Sequence, residues 1–247
     1  MSPPDAPALY RAIEQTWCPA SRHRVGPWMI RDGQDGGQRV SATTAEADWT
    51  PADLPAAETA MRDLDQPNLF LIREGETHLD QILADRGYGV VDPVVLHLVP
   101  VERLTQTPVP PVSAFQVWPP LAIMADIWAA GGIGPDRLSV MNRATGAKTA
   151  ILARQADQPA GVAFAAMCEN VAMVHAIEVT PALRRQHVGH NILRSTAHWA
   201  QDQGAAWLGL AVTRANTGAN ALYASLGMQV VGHYHYRKKA PDVRSET

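Results

Sequence analysis

An α/β fold of one or two globular domains is predicted by three features of the sequence. The 247 residues are 46% apolar and 18% charged, enough for a sizeable core and above the size at which a single core is commonest. Apolar runs of strand length alternate with segments whose apolar residues recur at helical spacing, and glycine or proline stands at most changeovers. Prolines number 19, where a typical usage of about 5% would give about 12. Many of them (Pro100, Pro108, Pro110, Pro111, Pro119 and Pro120) fall in residues 99–120, where rings that remove backbone donors favour an extended connector. That stretch predicts a domain boundary near residue 105, dividing the chain into residues 1–104 and 105–247.

Charge and cysteine content narrow the partners. There are 24 acidic and 21 basic residues, a formal net charge of −3, too balanced for broad binding to a phosphate backbone, so nucleic acid is not an expected partner. Cys18 and Cys168 are the two cysteines; they cannot build a disulfide framework and suit a reducing compartment. No window reaches the roughly 18 uninterrupted apolar residues of a membrane span, and the first residues lack the basic-then-apolar order of an export signal. The expectation is a soluble, cytoplasmic protein with no membrane partner.

Read in chain order, Pro3, Pro4 and Pro7 predict a frayed terminus. A helix is expected over 51–65 and a strand over 69–72, followed by a helix that stops at Gly87. After the connector, residues 122–130 predict a helix with Gly131 and Gly132 as its stop, and residues 136–143 a second helix behind Pro135. A strand is expected over 148–154. The apolar runs 161–167 and 171–179 flank Glu169 and Asn170, the pattern of a hairpin of buried strands. In residues 190–203, Ile192, Leu193, Thr196, Ala197 and Ala200 share one helix face, and Gly204 supplies the cap. A strand over 207–213, a helix over 219–226 capped by Gly227, and a strand over 228–237 complete the chain.

The two halves resemble each other. Residues 79–91 (LDQILADRGYGVV) and 220–231 (NALYASLGMQVV) align with Gly87 and Gly227 standing 140 residues apart. The same offset lays the 69–72 strand on 209–212 and the 51–65 helix on 191–205. One ungapped offset across three elements points to an internal duplication; the alternative is that any α/β chain repeats helix-glycine-strand units. Under this offset Leu83 falls where Tyr223 stands and Glu76 where Asn216 stands, while residues 44–49 hold no glycine and two carboxylates. The first copy therefore reads as degenerate.

Residues 175–193, HAIEVTPALRRQHVGHNIL, carry the most chemistry. A buried strand meets Pro181, then two arginines, then a glycine-containing turn that opens directly onto a helix. The first N–H groups of a helix lack internal partners and sit at the positive end of the macrodipole, so this arrangement suits an anion. Gly189 lets the backbone approach an oxygen closely, since a Cβ there would take the phosphate's place.

These residues resemble the acetyl-CoA signature of the GCN5-related N-acetyltransferase (GNAT) family: arginine or glutamine, two variable residues, glycine, one variable residue, then glycine or alanine. The frame here is Arg184-Arg185-Gln186-His187-Val188-Gly189, with His187 in place of the first glycine. A second segment, residues 215–231, is similar to the family's asparagine and Ala-x-x-Leu-Tyr-x-x-Leu-Gly pattern through Asn216, Ala219, Leu222, Tyr223, Leu226 and Gly227. The resemblance covers about residues 115–240.

The resemblance implies a mixed central sheet with a splayed strand pair that binds acetyl-CoA, preceded by a truncated GNAT-like domain that helps shape the acceptor pocket. It implies transfer of acetyl from acetyl-CoA to a primary amine of a small molecule or peptide by direct attack in a ternary complex, without a metal. Cofactor contacts fall to Ile177, Val179, Arg184, Arg185, Gln186, His187, Val188, Gly189, His190 and Asn216. The Val179 N–H is the implied oxyanion donor, and Tyr223 the implied general acid toward the leaving thiolate. The base is His175 or Glu178, which alternation puts on opposite faces unless a bulge intervenes; the amine arriving already neutral is a third alternative. Acetyl-CoA and an amine acceptor are the implied partners, with a homodimer left open. The competing reading is a non-catalytic module that binds coenzyme A or a protein. His233 and His235 share a strand face but are too few for a metal site. Cys168 lacks a flanking positive charge, and Trp128, Trp199 and Trp207 are expected as core anchors.

Overall fold

The computed structural model describes residues 2–240. The first elements are α1 (Ala6–Thr16), β1 (Ser21–Val25), β2 (Trp28–Asp32), α2 (Gln38–Ser41), β3 (Thr44–Ala45), α3 (Leu54–Asp63), β4 (Leu69–Arg73) and α4 (Thr77–Asp85). Next come β5 (Tyr88–Pro100), α5 (Val101–Thr105), β6 (Ala114–Val117), α6 (Ala122–Ala130), α7 (Pro135–Arg143), β7 (Lys148–Gln155), β8 (Gln158–Cys168) and β9 (Val171–Val179). The chain ends with α8 (Val188–Asp202), β10 (Trp207–Thr213), α9 (Thr217–Ser225) and β11 (Gln229–Lys239). Among the described residues no helix is long and apolar enough to cross a membrane.

Two compact units form. The larger comprises the described residues up to Cys18 together with Val95–Gly232, and the smaller comprises Pro19–Val94 together with the described residues from His233. Proline content placed one division near residue 105; the structure divides the chain within β5 and within β11, so these two strands contribute residues to each unit. The expected connector is also more ordered than its prolines suggest. It contains α5, whose Val101 and Leu104 are buried, and β6, which pairs antiparallel with β7.

In the larger unit the strand order is β5-β10-β9-β8-β7-β6. The sheet is mixed: β6, β7, β8 and β9 are successively antiparallel, whereas β10 runs parallel to β9. Helix α8 covers one face, burying Ile192, Leu193, Ala197 and Ala200 against Ile151, Ala163, Ala165 and Val174. Small residues on β8 bring that helix close: a Cβ on Gly161 would meet the Glu178 carbonyl oxygen at 2.8 Å and the Val188 side chain at 3.1 Å.

The N-terminal residues do not fray as Pro3, Pro4 and Pro7 led us to expect. Pro7 sits in the first turn of α1, where its missing N–H costs nothing, and the Asp5 carboxylate caps the helix by accepting the Ala8 N–H at 2.9 Å. The helix packs on β8 and β9 with Leu9, Ala12 and Ile13 buried.

In the smaller unit β1, β2 and β3 form a three-stranded sheet, and β4 pairs antiparallel with β11 from Leu69–Lys238 to Arg73–Tyr234. Trp28, Phe70, Met61 and Leu83 centre its core. His235 is engaged here by Asp80, Nε2 to Oδ1 at 2.7 Å, and Asp80 also accepts from Arg237 at 2.6 Å. Helices α4 and α9 begin and end 140 residues apart, and the glycines that follow them, Gly87 and Gly227, both have positive φ, +81° and +74°.

Leu9→Ala tests the docking of α1. Loss of a fully buried leucine costs about 2–5 kcal/mol, so urea unfolding of the variant is expected to show a stability loss in that range; a frayed segment would give a change below about 0.5 kcal/mol.

Candidate active site

The geometry of the site begins with one extra residue in β9. His175 pairs with Phe164 and Glu178 with Val162, so three steps on β9 match two on β8, and Ala176 takes φ of +50°. This is a bulge, which bends a strand and increases its twist. The Ala176 carbonyl accepts the Trp128 indole N–H at 2.8 Å, so the tryptophan expected only as a core anchor also holds the bulge. Parallel pairing of β9 with β10 runs from Val171–Trp207 to Val174–Leu210, while β9 continues to Val179 and β10 to Thr213. The expected splay opens there.

Backbone donors line this opening. The Thr180 N–H donates to the Ala160 carbonyl at 2.9 Å on the β8 side. Alternation along an extended strand therefore turns the N–H groups of Val179 and Ile177 toward the splay. Beyond β9, Arg185 and His187 both adopt left-handed backbone, each with φ of +61°. Helix α8 starts directly after His187, so the N–H groups of Val188, Gly189 and His190 precede the first intrahelical bond, Asn191 N–H to the His187 carbonyl at 3.0 Å. Successive N–H groups in such a turn, at the positive end of a 15-residue helix, form an anion cradle.

Gly189 also serves the packing of the protein itself. Its nearest neighbour is in the protein: a Cβ there would stand 2.7 Å from the Leu222 methyl of α9. The glycine thus lets the start of α8 approach α9.

The other lip is the β10–α9 junction. Asn216 caps α9, its carboxamide oxygen accepting the Ala219 N–H at 3.1 Å. Asn220 donates to the carbonyls of Thr213 at 3.1 Å and Asn216 at 2.8 Å. Its Nδ2 is thereby occupied as a donor, so the 3.0 Å contact between its Oδ1 and His97 Nε2 requires His97 to donate. His97 also stands edge-on to the Tyr223 ring, with centroids 5.3 Å apart. Tyr223 is 5% exposed, and its hydroxyl has no hydrogen-bond partner among the described residues. Burial pushes its ionisation well above the ordinary tyrosine value.

A groove of about 620 Å³ joins these parts. It is lined by Ile177, Glu178, Val179, Arg184, Arg185, His187, Val188, Gly189, His190, Asn216 and Tyr223, all singled out in the sequence. Two sequence candidates lie elsewhere. Gln186 lines an adjoining cavity instead. His175 is 2% exposed, bonded to Thr16 Oγ1 at 2.8 Å and packed on Trp17 at 5.1 Å, and does not reach the groove. Glu178 lines both the groove and a neighbouring cavity of about 390 Å³ beside Asp126 and Thr180, and it pairs with Arg184 at 3.1 Å. Arg184 Nε also donates to the Val179 carbonyl at 3.1 Å. The residues not anticipated are His97, Asn220 and Trp128 as a bulge clamp; only Asn220 lay inside a recognised motif.

Residues 123–228 match the family model described as Acetyltransferase (GNAT) family. The matched segment, residues 123–228, is a GNAT domain. Over 250 residues the chain is 23% identical to the "Uncharacterized N-acetyltransferase YobR" of Bacillus subtilis (strain 168), covering 95% of this chain and 99% of that protein. A GCN5-related N-acetyltransferase from Kribbella flavida shares the fold, with TM-score 0.73 at 20% identity over 94% of each chain. A tandem GNAT protein from the clavulanic acid biosynthesis pathway also shares it, with TM-score 0.60 at 13% identity over 91% of this chain and 86% of that one. The GNAT fold with its mixed sheet is thus the one expected from the motifs.

Left-handed backbone costs a side-chain-bearing residue about 1–2 kcal/mol, though histidine is among the residues found there more often. His187→Gly is therefore expected to stay within about 1 kcal/mol of the parent in urea unfolding, whereas β-branched His187→Val loses about 1–3 kcal/mol.

Proposed function

We propose that this GNAT-family protein is an N-acetyltransferase that moves acetyl from acetyl-CoA to a primary amine of a small molecule or peptide, by direct attack within a ternary complex. The observation that carries this reading is the splay between β9 and β10, which brings unpaired strand N–H groups, a helix-terminal anion cradle and the hydroxyl of a largely buried tyrosine into one groove.

The residues fit acetyl-CoA. The cradle of Arg185 to His190 matches a pyrophosphate in charge and in donor direction. The β9 edge at Ile177 and Val179 can pair with the amides of a pantetheine arm, as a missing strand would, with the amide N–H2 of Asn216 at the opposite rim. A groove of about 620 Å³ falls within the range of roughly 300–1,000 Å³ usual for small-molecule sites.

The chain's own groups then divide the work. The Val179 N–H donates to the oxygen on which negative charge develops during attack, a contribution typically worth about 3–4 kcal/mol. The Tyr223 O–H gives its proton to the departing sulfur; the burial that raises the tyrosine also raises the proton affinity of a thiolate formed beside it. Glu178, open to the groove and to the neighbouring cavity, takes the proton of the incoming amine directly or through a water. His175 holds β9 in place through Thr16 and Trp17 and carries no proton in this scheme. The N-terminal half is a shortened GNAT-like copy, supported by the matched bounds of α4 and α9, in which Leu83 stands where Tyr223 would.

Tyr223→Phe is expected to lower kcat by about 10²-fold or more while leaving acetyl-CoA affinity, measured by calorimetry, within about threefold. Full turnover in this variant would remove Tyr223 as the acid. Because its ionisation lies above the ordinary value, Tyr223 stays protonated through neutral and mildly alkaline pH, so no alkaline fall in kcat from this group is expected below about pH 10.

A further inference from the structure

Two glycines follow α6, and in the sequence both read as a helix stop. The structure separates their roles. Gly132 makes the left-handed turn, with φ of +78° and open space where a Cβ would stand. Gly131 has φ of −86° and ψ of 6°, backbone that side-chain-bearing residues adopt readily in type I turns. Its missing side chain therefore answers a neighbour and not the turn. A Cβ on Gly131 would stand 2.5 Å from Cγ, 2.6 Å from Cδ and 2.8 Å from Oε2 of Glu178, so the glutamate side chain fills the space that the glycine leaves.

This end of α6 is not free to move away. Trp128, three residues before Gly131 and so on a neighbouring face of the helix, is fully buried, and its indole N–H is held by the Ala176 carbonyl at 2.8 Å, two residues short of Glu178 on β9. On the other side, Glu178 Oε1 accepts from Arg184 Nη2 at 3.1 Å. The Arg184 side chain is 58% exposed, and an exposed ion pair fixes geometry only weakly. We propose that Gly131 is a positioning residue for Glu178: the missing Cβ leaves room, between the end of α6 and Arg184, for the carboxylate to stand where the groove meets the neighbouring cavity of about 390 Å³. Gly131 lines that cavity as well. The inference rests on Glu178 as the base of the proposed transfer. A side chain at position 131 would leave the fold intact, because the flexible glutamate can turn aside, but it would move the carboxylate off the path of the incoming amine. A misplacement on the order of 1 Å between reacting groups can cost about 10²-fold in rate.

The test is a double-mutant cycle on the full chain with Gly131→Ala, Glu178→Gln and their combination, with Gly132→Ala as the control. Turnover is followed as thiol release from acetyl-CoA with ethanolamine, spermidine, L-lysine and a tripeptide with a free amino terminus as acceptors, and acetyl-CoA affinity by calorimetry. Gly131→Ala is expected to lower kcat on the order of 10- to 100-fold, with acetyl-CoA affinity within about threefold and a melting temperature within about 2 °C of the parent. In the Glu178→Gln background the same substitution changes kcat by less than about twofold, since the group it displaces is already lost. Gly132→Ala shows the reverse, melting about 2–8 °C lower with kcat within about twofold of the parent. A crystal structure of Gly131→Ala shows the Glu178 carboxylate displaced by about 1 Å or more. An unmoved carboxylate, parental kcat in Gly131→Ala, or an equal loss in both backgrounds overturns the inference while leaving Glu178 as the base. Parental kcat in Glu178→Gln would overturn the base reading and this inference together.

Discussion

The hydrogen bond from the Trp128 indole to the Ala176 carbonyl, 2.8 Å long, secures the extra residue on which the rest of the site depends. Without a bulge, β9 would run on beside β10 and each strand N–H would meet a carbonyl across the ladder. With it, pairing stops at Val174 and Leu210, and the donors of Ile177 and Val179 face open space. Buried backbone groups without partners are costly, so strand edges of this kind persist where a ligand completes them. The same departure of β9 from β10 delivers the chain to the turn that starts α8, so one local irregularity positions the edge donors and the anion cradle alike.

Close approach then brings the parts into register. Gly161 admits the start of α8 against β8, and Gly189 admits α8 against Leu222 of α9. Across the opening, the chain of contacts from His97 through Asn220 to the carbonyls of Thr213 and Asn216 ties β5 to the beginning of α9. Tyr223 lies two turns along a helix anchored in this way, with its ring against His97. Burial of the residue keeps its hydroxyl protonated, the state required of a proton donor to sulfur.

The turn and the α9 segment were legible in the sequence because their chemistry is local: arginines, a glycine and a helix start within a few residues, and an asparagine cap followed by a tyrosine one helix face away. What was not legible depends on distant partners. Ala176 has no residue signal for a bulge, since its left-handed backbone is stabilised by an indole 48 positions away in the chain. His175 matched a base by type, yet Thr16 at the end of α1 and Trp17 just after it claim its ring, and that helix was itself hidden by prolines that resemble a loose end. Proline also misplaced the division of the chain, because a ring that breaks regular structure says nothing of long strands such as β5 and β11 that serve both units. Gly189 lines the groove, and the neighbour its missing Cβ admits, Leu222, lies 33 positions on and is not readable from the turn alone.

The central claim is that the unpaired N–H groups of the splay and of the α8 start are the donors that meet acetyl-CoA. Amide hydrogen exchange followed residue by residue, with and without saturating acetyl-CoA, tests this most directly. Protection is expected to rise at Ile177, Val179, Val188, Gly189 and His190, with little change along β6 and β7. Binding detected by calorimetry with no added protection at these amides would contradict the account.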